Sequence, residues 1–167
     1  MARGNNVQGP TDDVGAGIVT SASDIQGLFD ACRVVLFDCD GVLVNSEPIS
    51  LATLVDVLEH FNAPLGLRDV SDRFIGRSSS APIEYIKTHT GRDVSAEFKP
   101  YYYKMLFDRY DRDLSKIDGI ETVLTVLQAR DIAFCISSSS SVERLEKTMQ
   151  VTGLGPWFDE RVYSADF

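Results

Sequence analysis

Two aspartates stand two residues apart behind a short apolar run, in the stretch VVLFDCDGVLVNSE, Val34 to Glu47. An extended chain sends residues i and i+2 to the same side, so Asp38 and Asp40 can reach one site. Two close carboxylates repel, which raises the proton affinity of one of them. A divalent cation relieves that repulsion, and oxygen ligands together with phosphate favour Mg²⁺. The two identical side chains can then divide the work of phosphoryl transfer. Asp38 can attack phosphorus as a nucleophile. Asp40 can protonate the leaving oxygen and later deprotonate water. Gly41 permits the sharp turn that follows. An isolated pair of acids reads better as the cap of a turn. An apolar strand, then Asp-Cys-Asp-Gly-Val-Leu, then a helix is the context that selects the catalytic reading.

A second candidate is the serine run in FCISSSSSVERL. Ser140 and Glu143 have the spacing of a capping box, which starts a helix there. The free amides of a helix N-terminus attract phosphate.

These residues need elements to position them. Arg33–Asp38 reads as a strand buried on both faces, as in a parallel sheet. Helical periodicity runs from Pro48 to Phe61, with Leu51, Leu54, Val55, Leu58 and Phe61 on one face. Further helical patterns lie near Ala81–Thr90 and Ser95–Asp111, the latter with an aromatic face suited to packing. Gly119–Arg130 is amphipathic, DIAFCI is a second buried strand, a helix follows the serines and ends at Gly153, and ERVYSA is a third strand. The fold class expected is α/β, a Rossmann-like parallel sheet with a helical insert after its first strand. Ligands in such sheets bind beyond the carboxyl ends of the strands, where Asp38 falls.

Composition narrows the function. The 167 residues carry 16 basic and 25 acidic side chains, a formal charge of −9, which argues against nucleic acid and anionic membrane as partners. Cys32, Cys39 and Cys135 form no Cys-x-x-Cys pair and lie far from His60 and His89, which disfavours zinc. They read as buried thiols in a reducing compartment. No apolar run resembles a secretory signal or a membrane span, so the cytoplasm is the expected location. Residues 1–30 are poor in large apolar groups and read as a flexible tail.

VVLFDCDGVLVNSE resembles the first motif of the haloacid dehalogenase superfamily of aspartate-nucleophile phosphatases, in the branch of β-phosphoglucomutase and phosphoglycolate phosphatase. The resemblance runs from Arg33 to the last residue. It implies Asp38 as nucleophile and Mg²⁺ ligand, and Asp40 as acid/base and, through its backbone carbonyl, second ligand. In the serine run it implies Ser138 as phosphate-binding hydroxyl with the Ser139 amide beside it, an alignment that can slip to Ser137. It makes residues 31–48 and 118–167 the core and residues 49–117 a helical cap that closes over the site. Arg77, in FIGRS, matches a cap loop and could grip a distal phosphate or carboxylate. Glu47 could face the site, although a helix N-terminal acid explains it equally well.

The family also uses a lysine after the third strand and an acidic motif after the fourth, and neither is found here. The resemblance therefore implies an incomplete, C-terminally truncated core whose first strand is left as an exposed apolar edge, open to self-association. The expected function is a Mg²⁺-dependent phosphatase acting on a small phosphorylated sugar or related metabolite, impaired by the missing motifs. A phosphomutase and a non-catalytic or partner-dependent chain are the alternatives.

Overall fold

The computed structural model describes Gly27 and residues 30–77 and 80–165. The expected tail, residues 1–30, falls almost wholly outside these. The chain divides into Met1–Cys32 and Arg33–Phe167, and everything below concerns the second unit.

Its strands are β1 (Val34–Phe37), β2 (Ala133–Ser138) and β3 (Val162–Ser164), all parallel, in the order β1-β2-β3. Four helices fall between β1 and the approach to β2: α1 (Glu47–His60), α2 (Leu67–Phe74), α3 (Ala81–Thr90) and α4 (Ser95–Asp113). Next come α5 (Ile120–Ala129) before β2, and α6 (Val142–Thr152) and α7 (Gly155–Phe158) before β3.

Local sequence accounts for most boundaries. α1 opens with Glu47, whose charge suits a helix N-terminus, and Pro48, whose missing N–H is no loss there. α6 ends at Gly153, which takes the left-handed conformation (φ 69°) that a side chain would resist. The N-cap of α6 is Ser141, whose hydroxyl accepts from the Arg144 amide at 3.3 Å. The expected capping box placed that role on Ser140. The run of serines left the register open, and the Ser140 hydroxyl is engaged elsewhere, as shown below.

The sheet has one covered face. Phe37, Phe134 and Ile136 are buried there, and Phe158 of α7 packs edge-on against Phe37 and Phe134 with ring centroids 6.2 and 5.4 Å apart. Val34 and Leu36 point the other way and are 49% and 64% exposed. Burial of β1 on both faces is thus not met among the described residues. Crossovers between parallel strands are right-handed as a rule, which for the order β1-β2-β3 takes both connections past the same side of the sheet and leaves the intervening helices on one face.

Helices α1–α4 build a second core from Val57, Leu58, Phe61, Ala63, Val70, Ile86, Val94 and Phe98. His60 stacks on Tyr101 at 4.0 Å along its margin. The chain enters and leaves this bundle through a paired connection. The Asn45 amide donates to the Ser115 carbonyl and the Ile117 amide to the Leu43 carbonyl, each at 2.9 Å.

Candidate active site

Beyond Phe37 the backbone turns tightly. The Cys39 carbonyl accepts from the amides of Leu43 (3.0 Å) and Val44 (3.2 Å), and Gly41, at φ 74°, donates back to the Val44 carbonyl at 2.9 Å. The turn gives the two aspartates different surroundings. Asp38 sits at the strand end and is exposed. One of its carboxylate oxygens accepts from the Cys39 amide at 2.7 Å, and no described residue engages the other.

Asp40 is held from three sides. Its Oδ1 accepts from the Ser46 hydroxyl, in a short contact, and from Arg144 Nη2 at 2.8 Å. Its Oδ2 accepts from the Ser140 hydroxyl at 2.6 Å. With the Asp40 side chain 23% and that of Arg144 18% exposed, this ion pair is largely withdrawn from water. The expected repulsion between two carboxylates is therefore met here by a guanidinium, which compensates the Asp40 charge.

Ser138 is buried, and its hydroxyl accepts from the Ser140 amide at 3.1 Å. Ser139 between them is exposed, and Ser137 lies exposed on the uncovered side of β2. The Ser164 hydroxyl donates to the Ser140 carbonyl at 2.6 Å, and the Ala165 amide to the Ser138 carbonyl at 2.9 Å, so the end of β3 fixes the serine loop. Glu47 leans over the turn. Its carboxyl carbon lies 3.6 Å from where a Cβ on Gly41 would be, an ordinary contact distance, so a side chain there would be opposed by the positive φ and not by Glu47. The structure thus gathers Asp38, Asp40, Glu47 and the serine loop around the carboxyl ends of β1 and β2. Arg77 is not joined to them: its side chain is exposed after α2, and no hydrogen bond or ion pair links it to the aspartates or the serines.

Three polar groups escaped the sequence reading, Ser46, Arg144 and Tyr110, and a fourth, Ser140, was read as a helix cap and not as a partner of Asp40. Arg144 Nε donates to the Tyr110 hydroxyl at 3.0 Å. A half-buried aspartate needs a partner. That demand was the available signal for Arg144, but spacing alone could not show that residue 144 of one helix meets residue 40 of a turn.

The electrostatics follow from burial and charge. The Cys39 thiol, between the aspartates and 1% exposed, is pushed up to about 12 by burial and then by the Asp40 charge, so it stays protonated and is no nucleophile. Burial opposes the charge on Arg144, but Tyr110 and Asp40 beside it outweigh that and hold it more firmly protonated than usual. Burial likewise raises Tyr110, which keeps its phenolic proton.

For a cation, the oxygen donors fit Mg²⁺ in kind: the free Asp38 oxygen and the Asp40 backbone carbonyl. The Asp40 carboxylate already accepts from three donors. Among the described residues no group of three or more His, Cys, Asp or Glu side chains is arranged to hold a metal.

The fold and site define an α/β protein with a parallel sheet, helices inserted after its first strand, and an aspartate at that strand's carboxyl end. Over residues 35–167 the chain matches the model of the haloacid dehalogenase-like hydrolases, and it belongs to that family. It is 25% identical over 133 residues to the 6-phosphogluconate phosphatase of Escherichia coli K12, a match covering 79% of this chain and 59% of the bacterial protein. A haloacid dehalogenase-like protein of unknown function from Agrobacterium tumefaciens superposes with a TM-score of 0.64 at 31% identity, over 80% of this chain and 59% of that one. A family hydrolase from Deinococcus radiodurans, whose crystal structure holds phosphate and sodium, superposes with a TM-score of 0.59 at 27% identity, over 80% of this chain and 58% of that one. The chain spans about three-fifths of the length of these relatives.

Proposed function

We propose that the chain is built for Mg²⁺-dependent hydrolysis of a small phosphorylated sugar or related metabolite through an aspartyl-phosphate on Asp38. The observation that carries this reading is the 2.6 Å bond between Ser140 and Asp40, residues 100 apart in sequence, which draws the serine loop and the aspartate turn into one polar centre. The likeness to the Escherichia coli 6-phosphogluconate phosphatase supports the substrate class.

In this mechanism the free Asp38 oxygen attacks phosphorus and the bond to the leaving oxygen breaks. Asp40, which the structure holds through Ser46, Ser140 and Arg144, delivers a proton drawn from solvent water to the leaving oxygen. In the second step Asp40 takes a proton from water as that water attacks phosphorus. The bond to Asp38 breaks, inorganic phosphate leaves, and Asp38 is a carboxylate again. Ser138 and the Ser139 amide orient the phosphoryl oxygens at the mouth of α6. Glu47 and Arg77 are proposed to meet the rest of the substrate, Arg77 only after the loop that bears it moves. A bound Mg²⁺, held by the Asp38 carboxylate and the Asp40 carbonyl, would offset charge on the nucleophile and the phosphate. Residues 49–117 act as a cap that excludes water and selects the substrate, on a core of residues 31–48 and 118–167. The proposed setting is the cytoplasm, with self-association through the open edge of β1.

A second reading, a non-catalytic chain, draws on the described residues alone, among which no group of three or more His, Cys, Asp or Glu side chains is arranged to hold a metal. Phosphate release from 6-phosphogluconate and a panel of sugar phosphates decides between them. Turnover that needs Mg²⁺ and falls by more than about 10³-fold in Asp38→Asn supports the phosphatase. Absence of turnover in the unaltered chain supports the second reading.

A further inference from the structure

We propose that Arg144 is a positioning residue that ties the orientation of the Asp40 carboxylate to the packing of α1 and α4 against α6. Its guanidinium has one bond to the site and two to the helices of the insert. Nη2 donates to Asp40 (2.8 Å) and to the Ser50 hydroxyl of α1 (3.1 Å), and Nε donates to the Tyr110 hydroxyl of α4 (3.0 Å). Tyr110 has no exposed surface, so its hydroxyl is a fixed point.

The contact belongs to a row. Ser141, Arg144 and Lys147 recur every three residues along α6 and meet α4 at Tyr103 (2.7 Å), Tyr110 (3.0 Å) and Asp111 (2.7 Å). The outer two fasten helix to helix, and only the central one continues to an aspartate of the site. A guanidinium is a planar fork with donors at set angles. A shift of α1 or α4 past α6 must therefore rotate it or break one of its bonds, and the Asp40 carboxylate is displaced in either case. Insert packing is thereby transmitted to the proposed acid/base. Calling that transmission catalytic control rests on the phosphatase reading, whereas the mechanical coupling does not.

The test uses the 167-residue chain with ¹³C-carboxyl-labelled aspartate, at one fixed pH and without Mg²⁺ or phosphate. The Asp40 resonance is assigned by its loss in Asp40→Asn, and an aspartate far from the site, Asp93, serves as reference. Tyr110→Phe removes a hydroxyl that touches Arg144 and not Asp40. It is expected to shift the Asp40 resonance while Asp93 stays in place. Arg144→Met is expected to shift it further, and Arg144→Lys, which restores the charge without the fork, to recover only part of the change. An Asp40 resonance unmoved in folded Tyr110→Phe overturns the proposal, and this variant decides alone if Arg144→Met does not fold. A chain without phosphatase turnover but with the shift keeps the coupling and loses the enzyme reading. Turnover without the shift does the reverse.

Discussion

Helices α1–α4 close around Val57, Leu58, Ala63, Val70 and Ile86, none of which has exposed surface, whereas β1 alternates between buried Phe37 and Leu36 at 64% exposure. The insert draws its buried core from residues 57–98, with Leu51, Leu54, Val55, Tyr101, Tyr102 and Met105 packed against it, all of them within the span of α1–α4. The sheet has helices on one side and, among the described residues, no layer on the other. Folding of the insert is therefore a local matter. The sheet, and with it the aspartate turn, depends on the single aromatic layer that Phe158 completes.

The largest expected effect breaks that layer. Phe158→Ala removes a ring that contacts both Phe37 and Phe134, and should destabilise the chain by about 3–5 kcal/mol. Leu58→Ala in the insert should cost a similar amount, about 2–5 kcal/mol. The two regions part company in hydrogen exchange. Amides of β2 should lose protection in Phe158→Ala while those of α1 keep more of theirs, and the pattern should invert in Leu58→Ala. If both variants open the whole chain equally, sheet and insert are one cooperative unit and the contrast fails.

A smaller effect separates the regions by pH. Burial pushes Cys39, at the sheet end, from 9.0 to about 12, and pushes Tyr102, in α4, from 10.0 to about 12. Both groups are neutral when protonated, and the folded chain holds the proton more tightly than the unfolded one. Each contribution to stability is complete below the ordinary value and is lost as pH rises towards 12. The Cys39 part begins to fail near pH 9 and should amount to a loss of about 1.4 kcal/mol by pH 10, with Tyr102 losing under about 0.5 kcal/mol there. Urea midpoints at pH 8 and pH 10 check this. Cys39→Ala should flatten the pH dependence, and Tyr102→Phe should leave most of it. The reverse result would place the alkali-sensitive group in the insert.

The same contrast explains what the sequence could disclose. The strands, five of the helices and the serine loop were legible because each announces itself locally: Leu51, Leu54, Leu58 and Phe61 at helical spacing, Gly153 after α6, an aspartate pair after an apolar run; the short α2 and α7 were not read. The bare face of β1 was not, since VVLF reads the same with one face covered or two. The surroundings of Asp40 were not legible either. Its partners come from residues 46, 140 and 144, and only the folded chain brings them together. Five consecutive serines offered no internal cue to separate Ser141, the cap, from Ser140, the aspartate's donor.

The smallest effect on stability tests the uncovered face directly. Leu36 is already 64% exposed, so Leu36→Lys should change stability by no more than about 0.5 kcal/mol. Ile136, paired with Phe37 on the covered face, gives the opposite expectation, because Ile136→Lys would bury a charge in the Phe37–Phe134–Phe158 layer and unfold the chain. β1 stands at one end of the three-stranded order, with β2 on its inner side. Apolar side chains beside such an edge favour pairing with another chain, and a lysine there opposes it. Sedimentation of the unaltered chain should therefore reveal concentration-dependent association that Leu36→Lys reduces. A loss of more than about 2 kcal/mol in Leu36→Lys would mean instead that this face is covered in solution, and the two sides of the sheet would then be alike.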